Sequence, residues 1–172
     1  MSASPHLALV AVGANLGNAE ATVSAAMREL CTWSEGKSSS LWRTAPENCP
    51  PGAPPFVNAA VALVVQAEWT PENLLERLHG LERAFGRVSR VVKNESRTLD
   101  LDLLAFGDET REGSLVLPHP RAHLRGFVLL PLAEVAPSFV WPGSAAGGLT
   151  VSALLEALPM SPAQRVTSPS LP

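Results

Sequence analysis

The run Thr98-Leu99-Asp100-Leu101-Asp102-Leu103-Leu104 alternates apolar and acidic residues. A β-strand, whose successive side chains point to opposite faces, sorts such a run into one apolar and one acidic face. Leu99, Leu101 and Leu103 form a face that helices can bury. Asp100 and Asp102 share the other face, about 6.6 Å apart along the chain at ~3.3 Å per residue. Two-metal phosphoryl-transfer sites hold their ions roughly 3.5–4 Å apart, a spacing that two carboxylates so placed can serve together. The alternative is a solvated edge strand, where charge discourages sheet-to-sheet association. Aspartate is among the poorest strand formers, so two in one short strand are a local cost that a function explains.

A chain of 172 residues is long enough for one domain that buries about 70% of its unfolded surface. Cys31 and Cys49 stand in no zinc-ligand spacing, and two free thiols suit a reducing cytoplasm. No apolar run approaches the ~20 residues that span a bilayer, and the first residues lack an export pattern. The expectation is a cytoplasmic monomer that acts on small molecules, with no nucleic-acid or membrane partner. The formal net charge of −3 argues against gripping a nucleic-acid backbone. Its distribution is more informative: Arg87, Arg90, Lys93 and Arg97 crowd one segment, and His119, Arg121, His123 and Arg125 another. Locally cationic segments in a mildly acidic protein suit a small polyanion such as a nucleoside triphosphate.

Leu7 to Val12 is a continuous apolar run of the kind buried on both faces of a sheet. After Gly13-Ala14-Asn15-Leu16-Gly17, Asn18 can cap a helix reaching about Trp33. Strands are expected over 37–43 and 56–66, separated by a Pro/Gly-rich loop. Thr70-Pro71 opens a second helix, whose stripe Leu74, Leu78, Leu81 and Phe85 faces the sheet before Gly86 ends it. With the acidic strand at 98–106, the order is β-α-β-β-α-β. This is the ferredoxin-like split unit, an α+β antiparallel sheet with both helices on one face and the other face open. A C-terminal α/β extension follows: a strand-like 114–117, a polar turn 118–125, an apolar stretch to Val135 and a helix over 151–158. Residues 1–158 thus read as one domain, and the Ser/Pro-rich 159–172 as a disordered tail.

Gly13 to Asn18 lacks the glycine pattern of known phosphate loops, so a tight turn explains its glycines best. Arg87 and Arg97 bracket the basic loop before the acidic strand and can return to the carboxylates as bidentate phosphate binders; the alternative is a solvated basic face. His119 sits between Pro118 and Pro120, a stiff turn, although an isolated histidine is usually structural or exposed. By the two-residue period Phe56 and Asn58 share a face, placed here on the open side with the carboxylates.

Taken together, these stretches resemble the 6-hydroxymethyl-7,8-dihydropterin pyrophosphokinase family of folate biosynthesis. They are Val12 to Gly17, Arg43-Thr44 with Phe56 to Ala60, Leu81 to Arg87, Arg97 to Leu104, Leu117 to Pro120 and Arg125 to Leu132. The resemblance implies a ferredoxin-like sandwich that moves the pyrophosphoryl unit of ATP to the hydroxymethyl oxygen of the pterin, leaving AMP. It implies two Mg²⁺ ions on Asp100 and Asp102, and charge stabilisation by Arg87 and Arg97 during transfer. His119 and Arg125 would contact the nucleotide phosphates, with Leu103 also at the nucleotide. Thr44, Phe56, Asn58 and Phe127 would form the pterin pocket. The chain departs from the family pattern in three places. Lys93-Asn94-Glu95-Ser96 stands where the family usually has Arg-Trp-Gly-Pro, Ser89 replaces a frequent basic residue, and Glu47 replaces an apolar residue of the pterin loop. The rival readings are a ferredoxin-like nucleic-acid module, disfavoured by the acidic strand, and an inactive nucleotide- or pterin-binding relative.

Overall fold

The structure, a computed structural model, describes residues 6–47, 49–86, 98–159 and 162–166. Arg87, Arg97 and the loop 93–96 lie outside the described residues. Strand β1 (His6–Ala14) leads into helix α1 (Ala19–Trp33), and β2 (Gly36–Ser38) and β3 (Trp42–Thr44) precede β4 (Phe56–Val65). Helix α2 (Pro71–Ala84) and β5 (Asp100–Phe106) complete the split unit. A 3₁₀ turn (Ala122–Leu124), α3 (Gly126–Val135), α4 (Val151–Ala157) and β6 (Ala163–Arg165) follow.

The helix starts are local chemistry. Asn18 Oδ1 accepts from the Ala21 N–H at 3.1 Å. Thr70 and Asn73 exchange side chain-to-backbone bonds of 3.2 and 3.0 Å, a reciprocal cap behind Pro71. Gly86, with φ of 82°, takes the left-handed conformation that closes α2.

The antiparallel sheet runs β5-β1-β4-β3-β6, with β2 also paired to β4. Its first face carries the larger core. Val23, Ala26 and Leu30 of α1 and Leu74 and Leu78 of α2 pack there on Val10, Val12, Val61, Leu63, Leu99, Leu101 and Leu103. The leucines of the acidic run therefore lie under the helices, as their alternation predicts.

Four expectations change. The opposite face is open only in part: α3 and α4 build a second core there with Leu9, Ala60, Ala62, Leu104 and Ala105. A β-bulge makes this possible, because Val10 pairs with Leu103 but Leu9 with Ala105, leaving Leu104 as the extra residue. The strand expected over 37–43 is two strands. Between them the Ser39 N–H still donates to the Ala60 carbonyl at 2.9 Å, but the Ala60 N–H turns to Ser39 Oγ at 2.9 Å and the Ser40 N–H to Glu134 at 3.0 Å, so side chains replace part of the ladder. Finally, residues 163–165, expected within a disordered tail, pair with the outer edge of β3. Segment 114–117 contributes only an isolated bridge, Leu117 to Arg111.

Glu82, on the sheet-facing side of α2 and 3% exposed, accepts from the Leu101 N–H at 2.7 Å. This buried carboxylate holds the backbone midway between Asp100 and Asp102. Replacing Glu82 by Ala removes the acceptor and is expected to lower stability by about 1.5–3 kcal/mol. Urea unfolding measures this, and a change near zero would show that Leu101 does not depend on it.

Candidate active site

Strand register assembles the site. Asp100 pairs with Gly13, Gly13 with Asn58, and Asn58 with Trp42, so four strands contribute to one transverse row. Directly paired residues share a face, which places Asn58 on the face of Asp100; Phe56 joins it by the two-residue period. Asp102 lies in the next row, opposite Ala11. Two strand spacings put the backbones of Asp100 and Asn58 about 10 Å apart, with glycine between them.

Gly13 matters for that reason. A Cβ there would meet Asn58 Oδ1 at 3.0 Å, so the missing side chain keeps the floor between carboxylate and amide low. Sequence reasoning assigned the glycine pair to a tight turn. That holds for Gly17, whose φ is 60°, whereas Gly13 is part of β1.

Around this floor stand the residues expected to bind substrate. Asn58 is buried and donates through Nδ2 to Thr44 Oγ1 at 2.7 Å. Thr44 in turn pairs across the ladder with Phe56. Asn15 Nδ2 donates to the Pro54 carbonyl at 3.4 Å, tying the β1–α1 turn to the loop before β4. Phe127 lies in the first turn of α3, which packs over β4 and β3. The Arg125 guanidinium sits 5.5 Å from the Phe127 ring centroid, a cation–π distance.

The basic turn is fastened to β5 through the bulge. The His119 N–H donates to the Leu104 carbonyl at 2.7 Å, so the residue that disrupts the ladder also anchors the histidine. His119 Nδ1 accepts from the Arg121 N–H at 3.2 Å. A neutral ring used in this way carries its hydrogen on Nε2 and has a donor to offer. Burial lowers the His119 pKa most; the Asp102 charge raises it, while Arg125 and Arg121 lower it. Arg125 is lowered by burial and by Arg121, against the charges of Asp102, Glu47 and Asp100. Asp100, Asp102, His119, Arg121, Arg125 and Glu47 therefore share one electrostatic neighbourhood.

Among the described residues expected at the site, Leu103 is the exception: its side chain is buried in the helix-side core, away from the acidic face. Three further residues contribute, none of them expected at the site from sequence. Gly13 shapes the floor and Glu82 holds β5. Glu134, the one charged residue of the otherwise apolar 126–135, receives hydrogen bonds from Trp42 of β3, from Ser40 before it and from Arg165 of β6. That isolation was its only signal in the sequence.

Among the described residues no group of three or more His, Cys, Asp or Glu gathers to hold a metal ion. Mg²⁺ seldom needs such a cage, because it keeps several waters and binds through one or two carboxylates together with substrate phosphates. A carboxylate pair facing a basic turn fits a metal that arrives with a nucleotide.

A split βαβ sheet with an acidic strand, a polar floor and a basic turn nearby suits the class of proteins that handle phosphorylated small molecules. Comparison with known proteins narrows this class. The profile of the family described as 7,8-dihydro-6-hydroxymethylpterin-pyrophosphokinase (HPPK) matches residues 9–137, and the chain belongs to that family. The 2-amino-4-hydroxy-6-hydroxymethyldihydropteridine pyrophosphokinase of Synechocystis sp. is 38% identical over 88% of this chain and 75% of its own length. Its namesake from Methylorubrum extorquens is 37% identical over 92% of this chain and 98% of its own. The fold recurs in the crystal structure of Plasmodium falciparum HPPK-DHPS with pteroate, with a TM-score of 0.66 over 91% of this chain at 13% identity. This chain spans 43% of that longer one. Among the described residues no helix is long and apolar enough to cross a membrane.

In the metal-free protein His119 is expected to titrate below the ordinary histidine value of 6.5. Arg125→Ala should raise that value and Asp102→Asn should lower it. As pH falls below the unfolded-state pKa the unfolded chain takes up its proton first, so this histidine lowers stability down to its folded pKa. NMR titration of the ring decides the matter; a midpoint at or above the ordinary value would contradict the described surroundings.

Proposed function

We propose that this chain transfers the pyrophosphoryl group of ATP to the hydroxymethyl oxygen of 6-hydroxymethyl-7,8-dihydropterin, giving AMP and the pterin diphosphate. The observation that carries the reading is the transverse row. It sets Asp100 and the polar edge of Asn58 on one floor, where the charge of Asp102 acts on His119 and the charges of Asp102 and Asp100 act on Arg125. The hydroxymethyl oxygen bonds to the β-phosphorus of ATP, the bond from that phosphorus to the α,β-bridging oxygen breaks, AMP departs, and the hydroxyl proton is released.

In this reading the residues divide the work. Thr44, Phe56, Asn58 and Phe127 bind the pterin, its ring stacked on an aromatic side chain and its polar edge bonded to Asn58. His119 and Arg125 contact the triphosphate. Leu103 reaches the nucleotide only through its backbone, since its side chain lies in the core. Arg87 and Arg97 are assigned by sequence to the charge that develops during transfer, where a fixed guanidinium is most effective. Asp100 and Asp102 would hold two Mg²⁺ ions with the triphosphate, and bound Mg²⁺ neutralises phosphate charge and helps align the reacting groups. The free thiols of Cys31 and Cys49 support a cytoplasmic location, and the protein acts as a monomer in this reading.

The test is a single incubation of protein, Mg²⁺, ATP and the hydroxymethyl dihydropterin, followed by AMP detection. Pterin-dependent AMP is expected, and chelating the metal should abolish it. A folded sample that forms none would point to an inactive binding relative, and oligonucleotide binding at physiological salt to a nucleic-acid module. Asp100→Ala is expected to abolish turnover. Arg97→Ala should lose about 10²–10³ in rate, the scale for removing one charge-stabilising group. Near-normal turnover in either variant would remove that residue from the mechanism.

A further inference from the structure

Glu134 lies near the C-terminal end of α3, two turns beyond the end that carries Arg125 and Phe127. One of its carboxylate oxygens accepts from Trp42 Nε1 at 2.7 Å; the other accepts from the Ser40 N–H at 3.0 Å and from Arg165 Nη2 at 3.1 Å. Arg165 Nε also donates to Ser40 Oγ at 2.8 Å. One carboxylate thus joins a helix, the segment entering β3, and the C-terminal strand.

What it joins is the outer end of the site row. Trp42 pairs with Asn58 on one side and with Arg165 on the other, so the line from Asp100 through Gly13 and Asn58 continues across β3 to β6. Two residues along β3 from Trp42 is Thr44, the partner of the Asn58 amide. Anchoring α3 to Trp42 therefore fixes the helix bearing Phe127 against the strand bearing Thr44.

The helix needs such an anchor. Pro131 lies inside α3 and has no N–H to donate to the Phe127 carbonyl four residues earlier, so the first turn is held less firmly by the helix's own bonds. Burial works against ionisation of Glu134. The hydrogen bonds from Ser40 and Trp42, with the charge of Arg165, outweigh it and hold the carboxyl below its usual range. Hydrogen bonds to a carboxylate are stronger than neutral ones, whereas the exposed pair with Arg165 adds little, so the Trp42 and Ser40 bonds carry most of the anchor.

We propose that Glu134 is a positioning residue for the pterin pocket: through Trp42, Ser40 and the docked strand β6 it sets the spacing between the Phe127 and Thr44–Phe56 walls. The proposal rests on the functional reading above and adds that the C-terminal strand belongs to the pocket's support.

The test measures KM for the pterin, KM for ATP and kcat in the full-length chain and in Glu134→Ala, Glu134→Gln and Arg165→Ala. The indole N–H resonance of Trp42, assigned with Trp42→Phe, is followed alongside. Glu134→Ala is expected to raise the pterin KM about tenfold, with kcat and the ATP KM changed less than about threefold, and to move the Trp42 resonance. A tenfold change corresponds to about 1.4 kcal/mol. Glu134→Gln, which keeps an acceptor, should recover part of the loss, and Arg165→Ala should show a smaller rise in the same direction. If Glu134→Ala does not fold, the other two variants carry the test. A pterin KM within twofold of the unaltered chain, in folded variants whose Trp42 resonance has moved, would overturn the positioning role alone. Absence of pterin-dependent AMP from the unaltered chain would overturn the functional reading and this inference with it.

Discussion

The pairing of β1 with β5 on one side and β4 on the other is the interaction on which the rest depends. β1 is nearly continuous in apolar residues and lies between two antiparallel partners, and its register is fixed by the alternation of its partner β5, whose leucines must face the helices. A slip of one residue would exchange the faces of every side chain. Gly13 then would no longer separate Asp100 from Asn58, and the leucines of β5 would lose their place beneath the helices. Register here is at once a condition of stability and of the site.

The bulge at Leu104 determines where the site ends. Before it, β5 sends leucines into the helical core and aspartates to the opposite face. Beyond it, Leu104 and Ala105 both enter the second core beneath α3 and α4. The same irregularity leaves a carbonyl for the His119 N–H. Acidic strand and basic turn are thus brought together by one extra residue, in keeping with the frequency of bulges beside functional sites.

Electrostatically the site suits a polyanion carried with its own metal. Two carboxylates on a rigid strand lie near a turn whose Arg125 is partly buried, where its field is less screened than at the surface. A protein of modest net negative charge can in this way favour a nucleotide locally while repelling extended nucleic acid.

Much of this was legible in the chain itself. The helix caps at Asn18 and Thr70, the stripe on α2, the alternation in β5 and the shared face of Phe56 and Asn58 are local, and local sterics and hydrogen bonding decide them. The motifs that place the chain in its family are likewise strings of residues in order. The tertiary structure alone decided the division of the opposite face between site and second core, the split of the strand after α1, and the pairing of 163–165 with β3. It also decided the roles of Gly13, Glu82 and Glu134, and it turned the Leu103 side chain into the core. Each depends on which residue stands opposite which across strands far apart in sequence, and no periodicity within a segment encodes its partner. What the sequence determined was the set of faces; which faces meet was settled by the register of the sheet and the burial of its two cores.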